Sequence, residues 1–349
     1  MREINHKICA AISAVMCAVF LCGCSEEEIP ANVYLPGDLI SHSSSSTFST
    51  EKDEGQYDGY IRPSSSTTTT TTTTSRPGYT PPSDTTVGVS DSVLRWKWYY
   101  FHISDKRKAI YRRLYNCVMA GGEGVDVSDL YVTPQDVYEA FWAFDYENPQ
   151  FPQLGDGYEL TLIDPKVSNK VKSIKILYNR MPSQNLSNTL AQRAETVLAA
   201  ARQLDTDFAR LKYIHDWLIN NTTYSDTGAE YESEADGPIV YGQALCEGYS
   251  KAFMYLAQSL GYPCICSVGY ANLQDHMWNM VKVGGKWYNV DVTWDDPDNP
   301  DDIDEFTEIR YDYFLLCDAE LRVDHYALRP VMLPTADYGY FPHGYEVKN

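Results

Sequence analysis

Cys246, His276 and Asp291 stand in that order within one stretch of this chain. A thiol, an imidazole and a carboxylate can serve as nucleophile, general base and the group that orients the base. Together they perform acyl transfer through a thioester. Residue types alone do not make a site. A lone Cys is often inert packing, and a His near an Asp is a common solvated pair. The elements that carry these residues must bring them together.

After Cys246 the apolar residues fall at Tyr249, Ala252, Phe253, Leu256, Ala257 and Leu260. This three-four spacing predicts a helix with one buried stripe. Gly261 and Pro263 stop it. Cys246 then sits at the helix N-terminus, where free N–H groups and the macrodipole favour a thiolate. His276 to Val283 and Lys286 to Val292 read as strands joined by Gly284-Gly285. A two-residue Gly-Gly loop fixes register. Val283 faces Lys286, so Trp278 faces Asp291 and His276 is its diagonal neighbour. His276, Trp278, Met280, Asn289 and Asp291 share one face, because side chains alternate along a strand. A one-residue slip would move Asp291 to the other face.

Cys246-Glu247-Gly248-Tyr249, His276-Met277-Trp278-Asn279 and the strand ending Asp291-Val292-Thr293-Trp294 resemble the transglutaminase-like superfamily, with its C-x-G-Y, H-x-W-N and D-x-T-W signatures. The resemblance implies an α+β, papain-like fold, with the Cys on a helix packed against an antiparallel sheet that bears His and Asp. It implies Cys246 as nucleophile, His276 as general base and Asp291 as its orienter, with no cofactor and no metal. Papain-type enzymes place a Gln six residues before the Cys, where this chain has Val240. Gln243 is therefore one candidate oxyanion donor, and the backbone N–H of Cys246 the other. Trp278 and Tyr249 are candidates for a substrate cleft. The superfamily holds hydrolases, protein cross-linkers and members without known catalysis, so a peptidase or amidase, a transglutaminase and a non-catalytic surface adhesin all stay open.

The chain divides into four expected segments. Residues 1–23 read as a signal peptide, with Arg2 and Lys7 before an apolar run from Ile8 to Leu21 too short to span a bilayer. The ending Leu21-Cys22-Gly23-Cys24 resembles a bacterial lipobox, which implies lipidation of Cys24 and anchoring to the outer face of the membrane. Residues 24–90 form a Ser/Thr/Pro-rich linker that cannot bury a core. Residues 91–183 read as a small α+β support region, with helices over Lys106 to Val118 and from Thr133-Pro134 onward, and strands at Tyr158 to Ile163 and Val171 to Tyr178. Residues 184–349 read as the transglutaminase-like domain. It opens with two helices, of which the second carries His215 beside its buried stripe as a structural residue. Tyr224 to Gly237 is expected to be an acidic loop at the rim of the site. The acidic run from Asp295 to Glu305 is expected to be solvated rather than a calcium loop. Ile309 to Leu316 is expected to be a short helix, and Tyr345 to Asn349 a frayed end.

The formal net charge of −20 argues against nucleic acid or an anionic lipid surface as partner. The expected substrate is a peptide, protein or cell-wall amide, and the expected membrane contact is the lipid. Five cysteines remain after the leader and Cys24: Cys117, Cys246, Cys264, Cys266 and Cys317. An odd number leaves at least one free thiol. Cys264 and Cys266 point to one strand face and read as core.

Overall fold

The computed structural model describes residues 33–34, 89, 91–94, 97–164, 168–297, 309–328 and 332–340. The expected signal peptide with Cys24, the linker up to residue 88 and the frayed end at 345–349 lie outside the described residues, apart from the pair 33–34. Residues 89–340 fall within one compact unit.

A five-stranded antiparallel sheet positions the site. In chain order its strands are β1 (Cys264–Ala271), β2 (Gln274–Val283), β3 (Lys286–Val290), β4 (Phe314–Leu316) and β5 (His325–Ala327), and their spatial order is β4-β3-β2-β1-β5. Val283 pairs with Lys286 and Asn279 with Val290, the register the Gly-Gly turn dictates. Gly284 and Gly285 have φ of +58° and +83°, left-handed values that suit glycine and bring the strands back in twist.

The two faces of this sheet bury different partners. Cys264, Cys266, Met277, Val281, Val283, Tyr288 and Val290 share a core with Tyr249, Ala252, Phe253, Leu256 and Ala257 of helix α1 (Cys246–Leu260). The preceding helices 184–201 and 207–221 complete that core through Leu190, Val197, Leu211, Ile214 and Leu218. Ile265, Met280 and Trp287, on the opposite face, join a second core made by the N-terminal region. Its members include Tyr99, Ile110, Leu114, Phe141, Trp142 and Ile174. There the helix Pro134–Asp145 starts in a reciprocal capping box between Thr133 and Asp136, as the Thr-Pro-x-Asp pattern predicts. The strand Val171–Tyr178 lies between Gly124–Asp126 and Leu154–Leu162, antiparallel to both. Burying apolar residues on both faces anchors the sheet at roughly 1.5–3 kcal/mol per large side chain.

Three sequence expectations need correction. The segment expected to be a helix at Ile309 to Leu316 instead ends in β4, where Phe314 pairs with Val290 and the Tyr313 carbonyl accepts from Asp291 N at 2.9 Å. The open edge of β3 outweighs the local helical spacing, and Leu315 takes φ +59° to turn its side chain into the core. The acidic loop before the Cys helix points inward: Glu232, Glu234 and Asp236 are buried. Asp295 and Asp296, expected to be solvated, are buried too, while 298–308 lie outside the described residues.

Candidate active site

Cys246 is the first residue of α1. The chain reaches it through Gln243–Ala244, which pairs in parallel with Thr223–Tyr224. Leu245 N donates to the Glu232 carbonyl at 2.9 Å. The Glu232 carboxylate in turn gathers Ser225 Oγ, Thr227 N and Oγ1, Gly228 N and Ala229 N. Gly248 lets the first turn pass this loop, since a Cβ there would sit 2.2 Å from the Glu232 carbonyl oxygen. One turn on, buried Lys251 pairs with Glu247 at 2.9 Å, Glu234 at 3.0 Å and Asp145 at 3.6 Å. A single buried cation is thus shared by three carboxylates one turn along the helix from Cys246.

His276 and Asp291 share a sheet face, and His276 Nε2 lies 2.5 Å from Asp291 Oδ2. Asp291 Oδ1 accepts from the backbone N–H of Thr293 at 3.0 Å and of Trp294 at 3.2 Å. With Nε2 committed to the carboxylate, Nδ1 is the ring nitrogen left for Cys246, whose thiol contributes to the shift of His276. Burial alone would lower the imidazole's proton affinity. The Asp291 carboxylate and the Cys246 thiol overcome this and raise His276 to about 10. For Asp291, burial pushes upward, and His276 and His325 win by holding it well below the ordinary carboxylate range. The favoured state is an imidazolium beside an ionised Asp291.

The other sequence candidates take different places. The Gln243 carboxamide oxygen accepts from Tyr231 Oη at 2.9 Å, so Gln243 is tied to the loop before the helix. Tyr249 is not a cleft residue. Three positions after Cys246 it turns onto the apolar stripe, is fully buried, and donates to Asp296 Oδ2 at 2.7 Å. Trp278 is also buried, its ring nearly parallel to that of His276 with centroids 6.3 Å apart. Its outer edge lines a cleft of about 310 Å³ with Met280, Asn289, Asp318, Arg322 and His325. Cys264 and Cys266 are buried, and burial pushes both thiols well up. His215 is buried between Asp216, 3.0 Å from Nδ1, and Asp295, 3.1 Å from Nε2. It ties the turn after Asp291 to the preceding helix, and burial raises Asp295 to about 6.

His325 was not singled out from the sequence. Its Nε2 lies 3.0 Å from Asp291 Oδ2, the oxygen that His276 already uses. It arrives through the pairing of β5 with β1, His325 opposite Ala271, a contact that no local motif announces. The donor atoms of His276, Asp291 and His325 lie within 4.8 Å of one another, a set that could hold a metal ion. Both imidazole Nε2 atoms are spent on one carboxylate oxygen, so an ion would have to replace those hydrogen bonds.

A helix that starts at a Cys and packs on an antiparallel sheet bearing a His–Asp pair is a papain-like α+β arrangement. Residues 195–292 match the model of the transglutaminase-like superfamily. Two curated relatives are similar over a limited stretch. The human (Homo sapiens) kyphoscoliosis peptidase is 28% identical over 116 residues, covering 29% of this chain and 18% of that protein. The mouse (Mus musculus) kyphoscoliosis peptidase is 25% identical over 149 residues, covering 38% of this chain and 22% of its own. The chain thus matches less than a quarter of either relative's length. Among solved structures, a TGase aligns over 44% of this chain and 46% of its own, with 16% identity and a TM-score of 0.30. The periplasmic domain of TgpA from Pseudomonas aeruginosa aligns over 36% and 55%, with 11% identity and a TM-score of 0.26.

Proposed function

We propose that the protein is a cysteine-dependent hydrolase of peptide or protein amides, with Cys246 as nucleophile, His276 as acid–base and Asp291 as orienter. The carrying observation is the 2.5 Å contact of His276 with Asp291 in a sheet packed against the helix that Cys246 opens, with the imidazole raised to about 10 by Asp291 and then Cys246. In the first half-reaction Cys246 Sγ attacks the amide carbonyl carbon. The His276 imidazolium gives its Nδ1 proton to the leaving amine as the C–N bond breaks, leaving a thioester. In the second, neutral His276 takes a proton from water. The resulting hydroxide attacks the thioester carbonyl, the C–S bond breaks, and the carboxylic acid leaves behind the Cys246 thiolate and the His276 imidazolium that began the cycle. Asp291 stays ionised throughout and keeps the Nε2 proton in place. The N–H of Cys246, at the first position of its helix, supplies a donor for the oxyanion, with Gln243 as the second candidate.

Water as acceptor is supported by the name peptidase on both curated relatives. Cross-linking differs only in the acceptor. The sequence of residues 1–90 supports placing the enzyme at a bacterial surface, with a lipid on Cys24 and a polar linker holding the domain away from the membrane, where peptide, protein and cell-wall amides are within reach. The test is to incubate the full chain with a glutamine-containing peptide library in ¹⁸O-water with added cadaverine. Hydrolysis predicts one ¹⁸O per new carboxyl group and loss of all turnover in Cys246→Ala. Cadaverine adducts in place of ¹⁸O would instead establish a transglutaminase.

A further inference from the structure

We infer that His325 is a positioning residue of this site: clamped between Asp291 and Asp324, it locks the carboxylate that orients His276. The inference rests on the reading of Cys246, His276 and Asp291 as the reacting set.

The His325 side chain is fully enclosed, and a carboxylate faces each ring nitrogen. Asp291 Oδ2 lies 3.0 Å from Nε2, and Asp324 Oδ1 lies 2.5 Å from Nδ1. A proton on Nε2 lets the ring donate to Asp291 Oδ2, while Nδ1 faces Asp324. Asp324 is itself fixed, since its Oδ2 accepts from Tyr313 Oη at 2.6 Å. Aromatic rings close the remaining sides: the His325 centroid is 4.7 Å from that of Trp294, 5.2 Å from Trp278 and 5.3 Å from Tyr313.

The consequence falls on Asp291. Its Oδ2 receives two imidazole N–H groups and its Oδ1 two backbone N–H groups, so all of its acceptor positions are filled. A carboxylate held by His276 alone at Oδ2 would be free to pivot about the Oδ1 anchor. With His325 in place, Oδ2 stays aimed at His276. A residue that only filled space would not need a carboxylate at each ring nitrogen, and a donor at this point acts on the reaction through Asp291.

The test compares His325→Phe, which keeps a ring in the aromatic enclosure but removes both donors, with His325→Gln, whose carboxamide N–H₂ can still donate to Asp291. Turnover is followed with p-nitrophenyl acetate, and imidazole N–H protons are observed by NMR. His325→Phe should lower kcat on the order of 10- to 100-fold with little change in KM, the range for losing a hydrogen bond to a charged group. It should also move the Nε2–H resonance of His276. His325→Gln should recover most of kcat. If Phe and Gln fall equally, or if Phe retains wild-type kcat with the His276 resonance unmoved, His325 only packs and the inference fails. Cys246→Ala and His276→Ala separate the two levels. If both turn over like wild type, the proposed function fails. If both are dead while His325→Phe is wild type, only the role of His325 is lost.

Discussion

Replacing Asp291 with Asn changes the site without emptying it. Asn keeps an oxygen for the Thr293 and Trp294 N–H groups, but presents an N–H₂ donor where Oδ2 now accepts from His276 and His325. His276 Nε2 must then accept, so its single proton moves to Nδ1, the nitrogen facing Cys246. In that tautomer the ring cannot take the thiol proton. The charge effect adds to this. The rise of His276 from its ordinary 6.5 to about 10 corresponds to roughly 5 kcal/mol at 1.36 kcal/mol per pKa unit. Asp291 supplies the two largest raising contributions, with Cys246 after it, so Asp291→Asn should bring His276 down by roughly two pH units or more. Stability follows with a definite sign. The raised value at His276 gives a contribution that is whole below about 6.5 and lost as pH rises through about 10, while depressed Asp291 contributes above its ordinary range and loses this as pH falls. Asp291→Asn should flatten both arms of the stability–pH curve. Turnover of p-nitrophenyl acetate should fall by about 10³- to 10⁴-fold, the scale known for the same wrong-tautomer substitution in serine proteases. NMR titration of the His276 ring is the second assay. A variant that keeps more than a tenth of wild-type turnover, or whose His276 still titrates near 10, would refute the coupling.

Other perturbations reach the supporting structure. Glu147 is buried, accepts from Tyr99 N at 2.8 Å and Tyr100 N at 3.0 Å, and faces Lys97, with burial raising the acid to about 7 and lowering the amine to about 8. Glu147→Gln alone should cost about 3–5 kcal/mol in urea unfolding, and adding Lys97→Met should recover most of it; simple additivity would show the pair is not coupled. Gly248→Ala puts a methyl against the Glu232 carbonyl and should cost about 1–3 kcal/mol while lowering turnover, so an unchanged melting temperature would mean the helix start yields freely. Cys264 and Cys266 should resist iodoacetamide until the chain is unfolded, whereas Cys246 should react in the native state; peptide mapping of the alkylated protein reads this directly.

The parts legible in the sequence were those set by local rules. The three-four spacing after Cys246 and the stop at Gly261 define a helix, and the Gly284-Gly285 turn fixes the parity that places His276 by Asp291. The Thr133 cap is equally local. What sequence reasoning missed depends on partners far along the chain. Glu234 and Asp236 look like solvated loop acids until Lys251 and Arg180 are seen beside them. Asp295 reads as part of an acidic run until His215, eighty residues earlier, takes its carboxylate. Phe314 sits in helical spacing, yet the open edge of β3 captures it as a strand. His325 carries no motif, and only the strand pairing that sets it opposite Ala271 reveals its contact with Asp291.

The central claim is that acyl groups pass through Cys246. The most direct measurement is intact-mass and peptide-mapping spectrometry of the full chain, quenched in acid milliseconds to seconds after mixing with p-nitrophenyl acetate. The predicted result is a single acetyl group on Cys246 that forms with the burst of p-nitrophenol, decays with turnover, accumulates more slowly in His276→Ala and is absent in Cys246→Ala. Turnover without any adduct on Cys246, or an acetyl group on another residue that survives Cys246→Ala, would contradict it.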